Sequence, residues 1–383
     1  MKTVSNPFIV KGEIPAPYFC DRVEESRQLV NHIINGHDVV LTSTRRIGKT
    51  GLIEHCFNLP EIKDNYYTFF IDILQTSGLR EFTFALGQQI FEELKPYGRQ
   101  ILDTFLNTVR SLSGEIGYDP MSNMPKFSVS LGAIHNPEYT LDEIFQYINN
   151  ADKRCVIAID EFQQITRYPE KNIEAVLRTK IQHCHNADFI FAGSERHILT
   201  EMFMSYTRPF YASTSMMNLA VLNKDVYTDF VRFHFQEFGK NILPEAVLYI
   251  YDLFDGNTYC MQRTMNVAFD KTPSGHTCTI QLVEQSLTDI LLEQEHAYRV
   301  QLSLLSMQPK EVLIAIAKEN KAVHLTSGNF VRKHHLKSSS SVQSAVKQLL
   351  SDDWISANIS DTGVRTFYVS DRFLNLWLQR NYA

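Results

Sequence analysis

A Gly-Lys-Thr step directly after a short apolar strand is the feature that most constrains the fold of this sequence. Residues 38–42 form a β-branched apolar run, residues 43–48 form a loop, and residues 49–57 have helical character. The loop matches the pattern G-x-x-x-x-G-K-[ST], except that Ser43 replaces the first glycine. Because a helix N-terminus presents free backbone N–H groups, this arrangement predicts a cradle for phosphate groups.

Each position of this loop has a chemical use if a nucleotide binds there. Backbone N–H groups of residues 46–50 would point at the β-phosphate, Lys49 would neutralise β and γ oxygens, and the Thr50 hydroxyl would ligate Mg²⁺. The alternative is that these residues only open an ordinary helix. The candidate nucleotide-binding residues of the loop are Ser43, Thr44, Arg45, Arg46, Ile47, Gly48, Lys49, Thr50 and Gly51. Two interpretations stay open for Arg45 and Arg46: one of them faces the γ-phosphate or a neighbouring subunit, or both are solvated charges of the loop.

An acidic pair ends a second apolar strand, at residues 155–159. Asp160 and Glu161 are costly to place at that point unless a cation compensates them. Asp160 is therefore expected to hold Mg²⁺ through its water shell, and Glu161 to polarise a water for attack on the γ-phosphate. The alternative is that the pair caps a helix that begins near Phe162.

A hydroxyl follows a third apolar strand, at residues 189–192. Ser194 is expected either to contact the γ-phosphate or the attacking water, or to be the N-cap of the next helix. Lys49, Glu161 and Ser194 are the candidate catalytic residues, and Thr50 and Asp160 the candidate metal ligands. ATP and Mg²⁺ are the expected ligands.

Strands and helices alternate through the first part of the chain. Buried-strand patterns at residues 66–74, 155–159 and 189–192 are separated by helical patterns such as 79–94 and 173–183. This alternation predicts an α/β fold with a doubly wound parallel sheet, whose ligands bind at the carboxyl ends of the strands. A capping-box pattern, Asp21 with Glu24, predicts the start of an earlier helix. Residues 111–137, rich in Gly, Ser, Pro and Asn around an alternating segment at 126–131, predict a peripheral insertion, either a β-hairpin or an irregular segment.

The second part of the chain has a different organisation. Residues 221–300 are helical in pattern and predict a small lid. Residues 310–318, 327–334 and 341–352 predict three helices, and residues 354–358 and 365–369 predict two strands. This order is typical of a winged helix. We therefore expect a core over 1–220, a helical lid over 221–300 and a winged-helix domain over 301–383.

The motifs together resemble the archaeal-type ATPases of the STAND and AAA-related branch of P-loop proteins. The matching pieces span nearly the whole chain and are residues 18–22, 45–50, 159–163, 191–194, 208–211 and 368–374, followed by Trp377. The resemblance implies an ATPase core with strand order 5-1-4-3-2, a helical lid and a winged-helix end. It also implies that Asp21 and Arg22 lie near the adenine.

The sequence departs from that family at two places. Ser43 stands where the family usually has glycine, and Ala212-Ser213 stand where it often has Gly-Arg after the tyrosine. The second departure removes an arginine that could act as a sensor or finger. Arg208 is a nearby substitute, with a surface salt bridge as its alternative role.

Composition and charge restrict the location and the partners. The N-terminal residues lack a signal-peptide core, there is no long uncharged apolar run, and six cysteines are widely spaced, so a cytoplasmic protein without membrane contact is expected. Residues 301–383 hold 10 basic against 6 acidic side chains, whereas the remaining residues hold 27 against 37. The basic end, with residues 332–337 and the polar face of 341–352, fits DNA or a protein partner.

Three functions are consistent with these patterns. The first is slow ATP hydrolysis that drives a conformational switch. The second is a nucleotide-dependent DNA-binding protein that resembles replication initiators or loaders. The third is a signalling scaffold that binds ATP without hydrolysing it. A small-molecule kinase is disfavoured because the second acidic residue, Glu161, favours water as the acceptor. Nothing in the sequence indicates the oligomeric state.

Overall fold

The chain divides into two compact units. The structure, a computed structural model, describes residues 5–112, 116–118, 125–127, 134–359 and 363–382. One unit is Lys11–Tyr227, and the other comprises the residues up to Val10 together with Thr228–Ala383. The chain therefore enters the second unit twice.

A five-stranded parallel sheet forms the centre of the first unit. Its strands are β1 (Val39–Ser43), β2 (Tyr66–Asp72), β5 (Arg154–Asp160), β6 (Ala187–Gly193) and β7 (Ser215–Leu219), and a separate antiparallel pair comprises β3 (Ile116–Tyr118) and β4 (Pro125–Phe127). The strands of the sheet lie in the order β2-β5-β6-β1-β7, and every neighbouring pair is parallel. Numbered within the sheet along the chain, this is the order 5-1-4-3-2, so the predicted topology is confirmed.

Helices cover both faces of this sheet. They are α1 (Val23–Ile34), α2 (Lys49–Asn58), α3 (Pro60–Lys63), α4 (Leu79–Leu94), α5 (Arg99–Thr108), α6 (Pro137–Asn149), α7 (Ile173–Gln182) and α8 (Arg196–Met204). Successive residues of β1 enter different cores: Val40 packs with α4 and α6, and Val39 and Leu41 pack with α1 and α2. Because both of their faces are buried, β1, β2, β5 and β6 are largely apolar, which explains why they were recognisable in the sequence. The edge strand β7 is partly exposed and was not predicted.

The predicted capping box at Asp21 is wrong. Helix α1 begins at Val23, and its N-cap residue is Arg22, which has a left-handed backbone (φ 69°) and no capping side chain. Asp21 is also left-handed, with φ 56°. The Arg22 guanidinium instead donates to the Ile47 carbonyl at 3.3 Å and to Glu25 at 2.6 Å. These bonds hold the two residues in a turn toward the loop after β1.

The hairpin predicted within residues 111–137 is present in the described part. β3 and β4 pair with Ile116 opposite Phe127. Residues 128–131 of the predicted strand lie outside the described residues.

Helices dominate the first half of the second unit. Helix α9 (Lys224–Glu237) leads the chain into this unit and is followed by α10 (Pro244–Leu253), α11 (Thr258–Lys271) and α12 (Ile280–Ser303). A short parallel pair of β8 (Asn241–Ile242) and β9 (Thr277–Cys278) was not predicted. The N-terminal residues add to this region, because Phe8 is fully buried against the rings of Phe230, Phe235 and Phe269.

The end of the chain has the predicted order of helices and strands. It contains α13 (Met307–Glu319), β10 (Ala322–Val323), α14 (Gly328–Lys333), α15 (Ser339–Ser351), β11 (Ile355–Ile359), β12 (Arg365–Val369) and α16 (Arg372–Tyr382). The strands form an antiparallel sheet in the order β10-β12-β11. Strand β10 and helix α16 were not predicted. The predicted boundary between lid and winged helix, at residue 300, lies inside helix α12. The division into three domains stays a prediction.

No helix among the described residues is long and apolar enough to cross a membrane. The six cysteines are free thiols, and all but Cys20 are buried.

Candidate active site

The loop between β1 and α2 has the backbone of a phosphate cradle. Gly48, with φ 92°, and Arg46, with φ 64°, are both left-handed and turn the chain into the N-terminus of α2. Ser43 ends β1 without a positive φ, and its hydroxyl donates to the Thr44 carbonyl at 3.0 Å. Because the backbone at this position does not need glycine, the loop accommodates serine.

Three polar side chains meet at the start of α2 and the end of β5. The Lys49 ammonium lies 2.7 Å from one oxygen of Asp160, and the Thr50 hydroxyl donates to the other at 3.0 Å. Lys49 and Asp160 are both buried. The strand order explains the contact, since the carboxyl ends of β1 and β5 lie on the same edge of the sheet. The predicted neighbourhood of Lys49, Thr50 and Asp160 is therefore present.

Glu161 is held by a separate set of donors. Its Oε2 atom accepts hydrogen bonds from Ser194 Oγ at 2.9 Å and Gln163 Nε2 at 2.5 Å. Its Oε1 atom lies 3.8 Å from Lys49 Nζ. Arg45 Nε in turn donates to Ser194 Oγ at 3.4 Å. These contacts link the loop after β1, the end of β5 and the end of β6 through side chains alone.

The alternative helix-capping roles are met only in part. Glu161, with φ 55°, is the N-cap residue of a 3-10 helix, Phe162–Arg167, but its side chain makes no capping bond. Helix α8 begins at Arg196, and its N-cap residue is Glu195, so Ser194 is not the cap. Both side chains point into the site instead.

A third carboxylate, at the end of β2, was missed in the sequence. Asp72 is opposite Asp160 in the register of β2 and β5, and it accepts a hydrogen bond from the Leu74 backbone at 2.8 Å. Partial burial raises the pKa of Asp72, and the nearby charges of Asp160 and Glu161 raise it further. The signal was available, because Asp72 interrupts the apolar run at 66–74.

The remaining candidate binding residues surround the loop. Arg22 is buried and contacts the loop through the Ile47 carbonyl, and Asp21 precedes it. Gly51 lies in the first turn of α2, where a Cβ would meet Phe19 at 3.7 Å. A small cleft at this face of α2 is lined by Glu13, Ile14, Pro15, Ala16, Gly51, Glu54, His55, Asn58 and Leu59. No described contact assigns Asp21 or Arg22 to an adenine, and that assignment stays a prediction.

Arg208 is engaged away from these side chains. Its guanidinium lies 2.8 Å from Glu174 and 3.8 Å from Glu201. Burial raises the pKa of Glu174, and Arg208 opposes that shift. The ion-pair role of Arg208 is therefore the one that the structure describes.

The oxygen donors of Thr50 and Asp160 fit Mg²⁺. A hydroxyl and a carboxylate oxygen, 3.0 Å apart, are hard ligands of the kind that this ion takes from a protein when phosphates and water supply the rest. Among the described residues, no three His, Cys, Asp or Glu side chains form a group that could hold a metal. The described residues therefore contain no metal site in which such side chains alone supply three or more ligands.

Comparison with known protein families gives two matches. Residues 19–263 match the model described as "ATPase domain predominantly from Archaea", which covers more than half of the chain. The chain belongs to this ATPase family. Residues 296–380 match the model described as "Probable winged helix domain". The end of this archaeal-type ATPase is therefore a winged helix, as its element order predicted.

Solved structures of similar fold cover the chain of this archaeal-type ATPase almost completely. A Walker-type ATPase of Pyrococcus abyssi has a TM-score of 0.64 at 17% identity, with 97% of this chain and 99% of that chain covered. The ORC2 protein of Aeropyrum pernix has a TM-score of 0.55 at 12% identity, with 98% of each chain covered. The Aeropyrum pernix ORC1 protein in complex with DNA has a TM-score of 0.51 at 11% identity, with 99% and 97% covered. No functionally curated protein matches the sequence.

The winged helix of this ATPase presents a polar helix face. On α15, Gln343, Ser344 and Lys347 are exposed. Ser341, which lies in the predicted polar face of 341–352, forms a capping box with Ser338 at the start of the helix. In the adjoining basic segment, Lys333 and His334 both contact Glu319, at 2.6 and 2.8 Å.

Proposed function

We propose that this protein binds ATP with Mg²⁺ and hydrolyses it slowly to ADP and phosphate in the cytoplasm, and that turnover drives a conformational switch. The observation that carries the proposal is the meeting of five side chains at the carboxyl edge of the sheet, namely Lys49, Thr50, Asp160, Glu161 and Ser194. Membership of the ATPase family supports nucleotide binding at this edge.

Binding of ATP would rearrange the ion pair at the centre of the site. Lys49 is buried, and its ammonium lies 2.7 Å from Asp160. The β- and γ-phosphates carry more negative charge than one carboxylate, so they would compete for Lys49. Thr50 and Asp160 would hold Mg²⁺, which when bound neutralises charge on the phosphate oxygens. The N–H groups at the start of α2 would bind the β-phosphate.

Glu161 would act as the general base. It takes a proton from water while the water oxygen forms a bond to the γ-phosphorus, and the bond between that phosphorus and the β,γ-bridging oxygen breaks. Ser194 donates to the Glu161 carboxylate at 2.9 Å, which holds the base beside Lys49. The proposed products are ADP and inorganic phosphate.

Two substitutions test binding and hydrolysis separately. Purified protein is assayed for Mg-ATP binding by titration calorimetry and for phosphate release. We expect Lys49→Ala to abolish binding at concentrations that saturate the wild-type protein. We expect Glu161→Gln to bind like the wild type while kcat falls by about 10²- to 10⁴-fold, the usual contribution of a general base. Lys63→Ala and Glu61→Gln, at exposed positions in the same unit, are matched controls and should behave like the wild type.

Each outcome has a distinct meaning. Binding by Lys49→Ala that equals the wild type would place the nucleotide elsewhere and contradict the proposed site. Binding by the wild type without turnover would favour the non-hydrolysing scaffold.

A nucleotide-dependent DNA-binding function is the second candidate. The supporting observation is the exposed polar face of α15, with Gln343, Ser344 and Lys347, in a winged-helix domain. The similar fold of ORC1, solved in complex with DNA, makes duplex DNA the first partner to test. We expect duplex affinity measured by fluorescence anisotropy to fall steeply with salt and to decrease in Lys347→Ala. Affinity that is independent of salt and of Lys347 would favour protein docking through this domain.

A further inference from the structure

We propose that Gln163 is a positioning residue for the reaction, which holds the Glu161 carboxylate with one oxygen free to take a proton from water. The inference rests on the proposed hydrolysis of ATP. Gln163 lies in the 3-10 helix directly after β5, two residues beyond Glu161. Its amide donates to Glu161 Oε2 at 2.5 Å.

The two donors to Glu161 divide its oxygens between two roles. Oε2 accepts from both Gln163 and Ser194, so its position is fixed. Oε1 lies 3.8 Å from Lys49, on the side where the γ-phosphate would bind. Because Oε2 is fixed by two hydrogen bonds, Oε1 is held in one orientation, towards Lys49. That is the role of an orienting group next to a general base.

Packing leaves the Gln163 side chain little freedom to move. Gln163 is only 2% exposed. A Cβ built on Gly193 would lie 2.0 Å from Gln163 Oε1, so the amide rests directly on the backbone of that glycine. The preceding residue, Phe162, is fully buried against Phe191, Phe203 and Phe210. The Gln163 amide is therefore held by Gly193, and its backbone is held by the packing of Phe162.

The hydrogen bonding of Gln163 argues against a purely stabilising role. Its Oε1 atom is buried and has no hydrogen-bond partner. The opposite amide orientation would place this oxygen against the Glu161 carboxylate and repel it. A buried unsatisfied carbonyl destabilises a fold, whereas an apolar side chain of the same shape would not. The function of glutamine at this position is therefore to donate a hydrogen bond to the Glu161 carboxylate.

Gln163→Met is the test, because methionine has a similar shape and no donor. We expect the melting temperature to stay equal or rise, the affinity for Mg-ATP and the KM to stay within twofold, and kcat to fall about 10- to 100-fold. Gln164→Met is the matched control, since the Gln164 side chain donates to the Thr76 carbonyl and not to the Glu161 carboxylate. The backbone N–H of Gln164, which donates to the Glu161 carbonyl, is unchanged by the substitution. That variant should lose some stability and keep kcat within twofold.

Gln163→Glu adds a readout that a structural role would not produce. At pH 8 the introduced carboxylate lies against the Glu161 carboxylate, where the Gln163 amide now donates, and cannot donate itself, so kcat should fall. Towards pH 6 the introduced carboxyl takes up a proton and can donate again. The ratio of variant to wild-type kcat should therefore rise as the pH falls.

The outcomes separate this inference from the proposed function. If the wild type hydrolyses ATP and both variants at Gln163 match its kcat at every pH, the positioning role is overturned. A loss of kcat in Gln163→Met together with equal losses of affinity and melting temperature also overturns it. If the wild type releases no more phosphate than Glu161→Gln, hydrolysis itself fails, and the inference falls with it.

Discussion

At the residue scale, the candidate site depends on a glycine, Gly193, that packs against Gln163. Gly193 is the last residue of β6, and Gln163 lies directly against its Cα. Any side chain at residue 193 would displace the amide that donates to Glu161. Residue 193 must therefore be glycine for a packing reason, because Gln163 already fills the space that a side chain would need.

Gly193→Ala is expected to impair both activity and stability. The added methyl would lie 2.0 Å from Gln163 Oε1 and 2.8 Å from Leu199 Cδ1, and such overpacking destabilises by about 1–3 kcal/mol. Phosphate release should fall, and urea unfolding should shift to lower denaturant. Gly328→Ala, where a Cβ meets nothing within 4 Å, is the control and should keep both properties. A fully active Gly193→Ala would contradict the contact with Gln163.

The sequence predicted those site residues whose chemistry is visible in a motif. Lys49, Thr50 and Asp160 meet because both loops follow strands of one parallel sheet. Gln163 was not singled out, because its role depends on a slot that only the packing of β6 creates. Asp72 was missed although it breaks an apolar run, since its importance depends on which strands are neighbours.

At the scale of elements, the fully buried strands β1, β5 and β6 were predicted more reliably than the partly exposed strand β7 or the helix ends. Fully buried strands leave a continuous apolar pattern, whereas the start of α1 depends on Arg22, whose guanidinium bonds to a carbonyl 25 residues later. The two-residue strands β8 and β9 have no pattern of their own. Local patterns could not identify contacts that are set by distant parts of the chain.

The amino ends of β1, β5 and β6 carry charges that tune stability with pH. Asp38 precedes β1 and accepts from the Phe189 backbone at 2.8 Å, and Arg154 pairs with both oxygens of Asp188 at 2.9 Å. Burial raises the pKa of Asp38 to about 6, and the charge of Asp188 raises it further. The hydrogen bond from Phe189 and the charges of Arg178 and His37 oppose this shift. Burial also raises the pKa of Asp188 to about 6. Ionising these carboxyls destabilises the native state.

We expect Asp38→Asn to be more stable than the wild type above pH 6. An unfolded aspartate has a pKa of about 4, so the wild type gains stability from the raised pKa at low pH and loses it as the pH rises from about 4 to about 6. Asparagine can still accept from Phe189 and has no charge to bury. The variant should lead by about 1–3 kcal/mol at pH 7.5 in urea unfolding. A lead that does not shrink towards pH 4 would contradict this account.

At the scale of the whole molecule, one carboxylate connects the winged helix to the helices before it by pairing with two basic residues. Asp255, in the turn between α10 and α11, lies 2.5 Å from Arg372 at the start of α16 and 2.7 Å from Lys321 before β10. Arg372 is buried, whereas Asp255 is 40% exposed. The carboxylate therefore compensates a guanidinium that has little access to water.

Asp255→Asn should loosen this connection without unfolding the first unit. Asparagine tolerates the left-handed backbone of Asp255, which has φ 51°, but it cannot neutralise Arg372. A partly exposed pair of this kind contributes about 1–2 kcal/mol, between surface and buried values. Hydrogen exchange should quicken in β10 and α16 and stay unchanged in β1 and β5. Glu293→Gln, which breaks the exposed pair with Arg263, should leave both regions unchanged.

The path of the chain also determines the order in which its two units can fold during synthesis. Phe8 completes a ring cluster with Phe230, Phe235 and Phe269, and Asn6 bonds to the Asn266 carbonyl at 2.9 Å. The unit that holds this cluster is therefore discontinuous, with the ATPase core inserted after Val10. On the ribosome, Asn6 and Phe8 cannot reach Asn266 and Phe269 until more than 250 further residues have emerged. The inserted unit, Lys11–Tyr227, is contiguous and can fold during that interval, so the order of synthesis favours a folded parallel sheet before the discontinuous unit is complete.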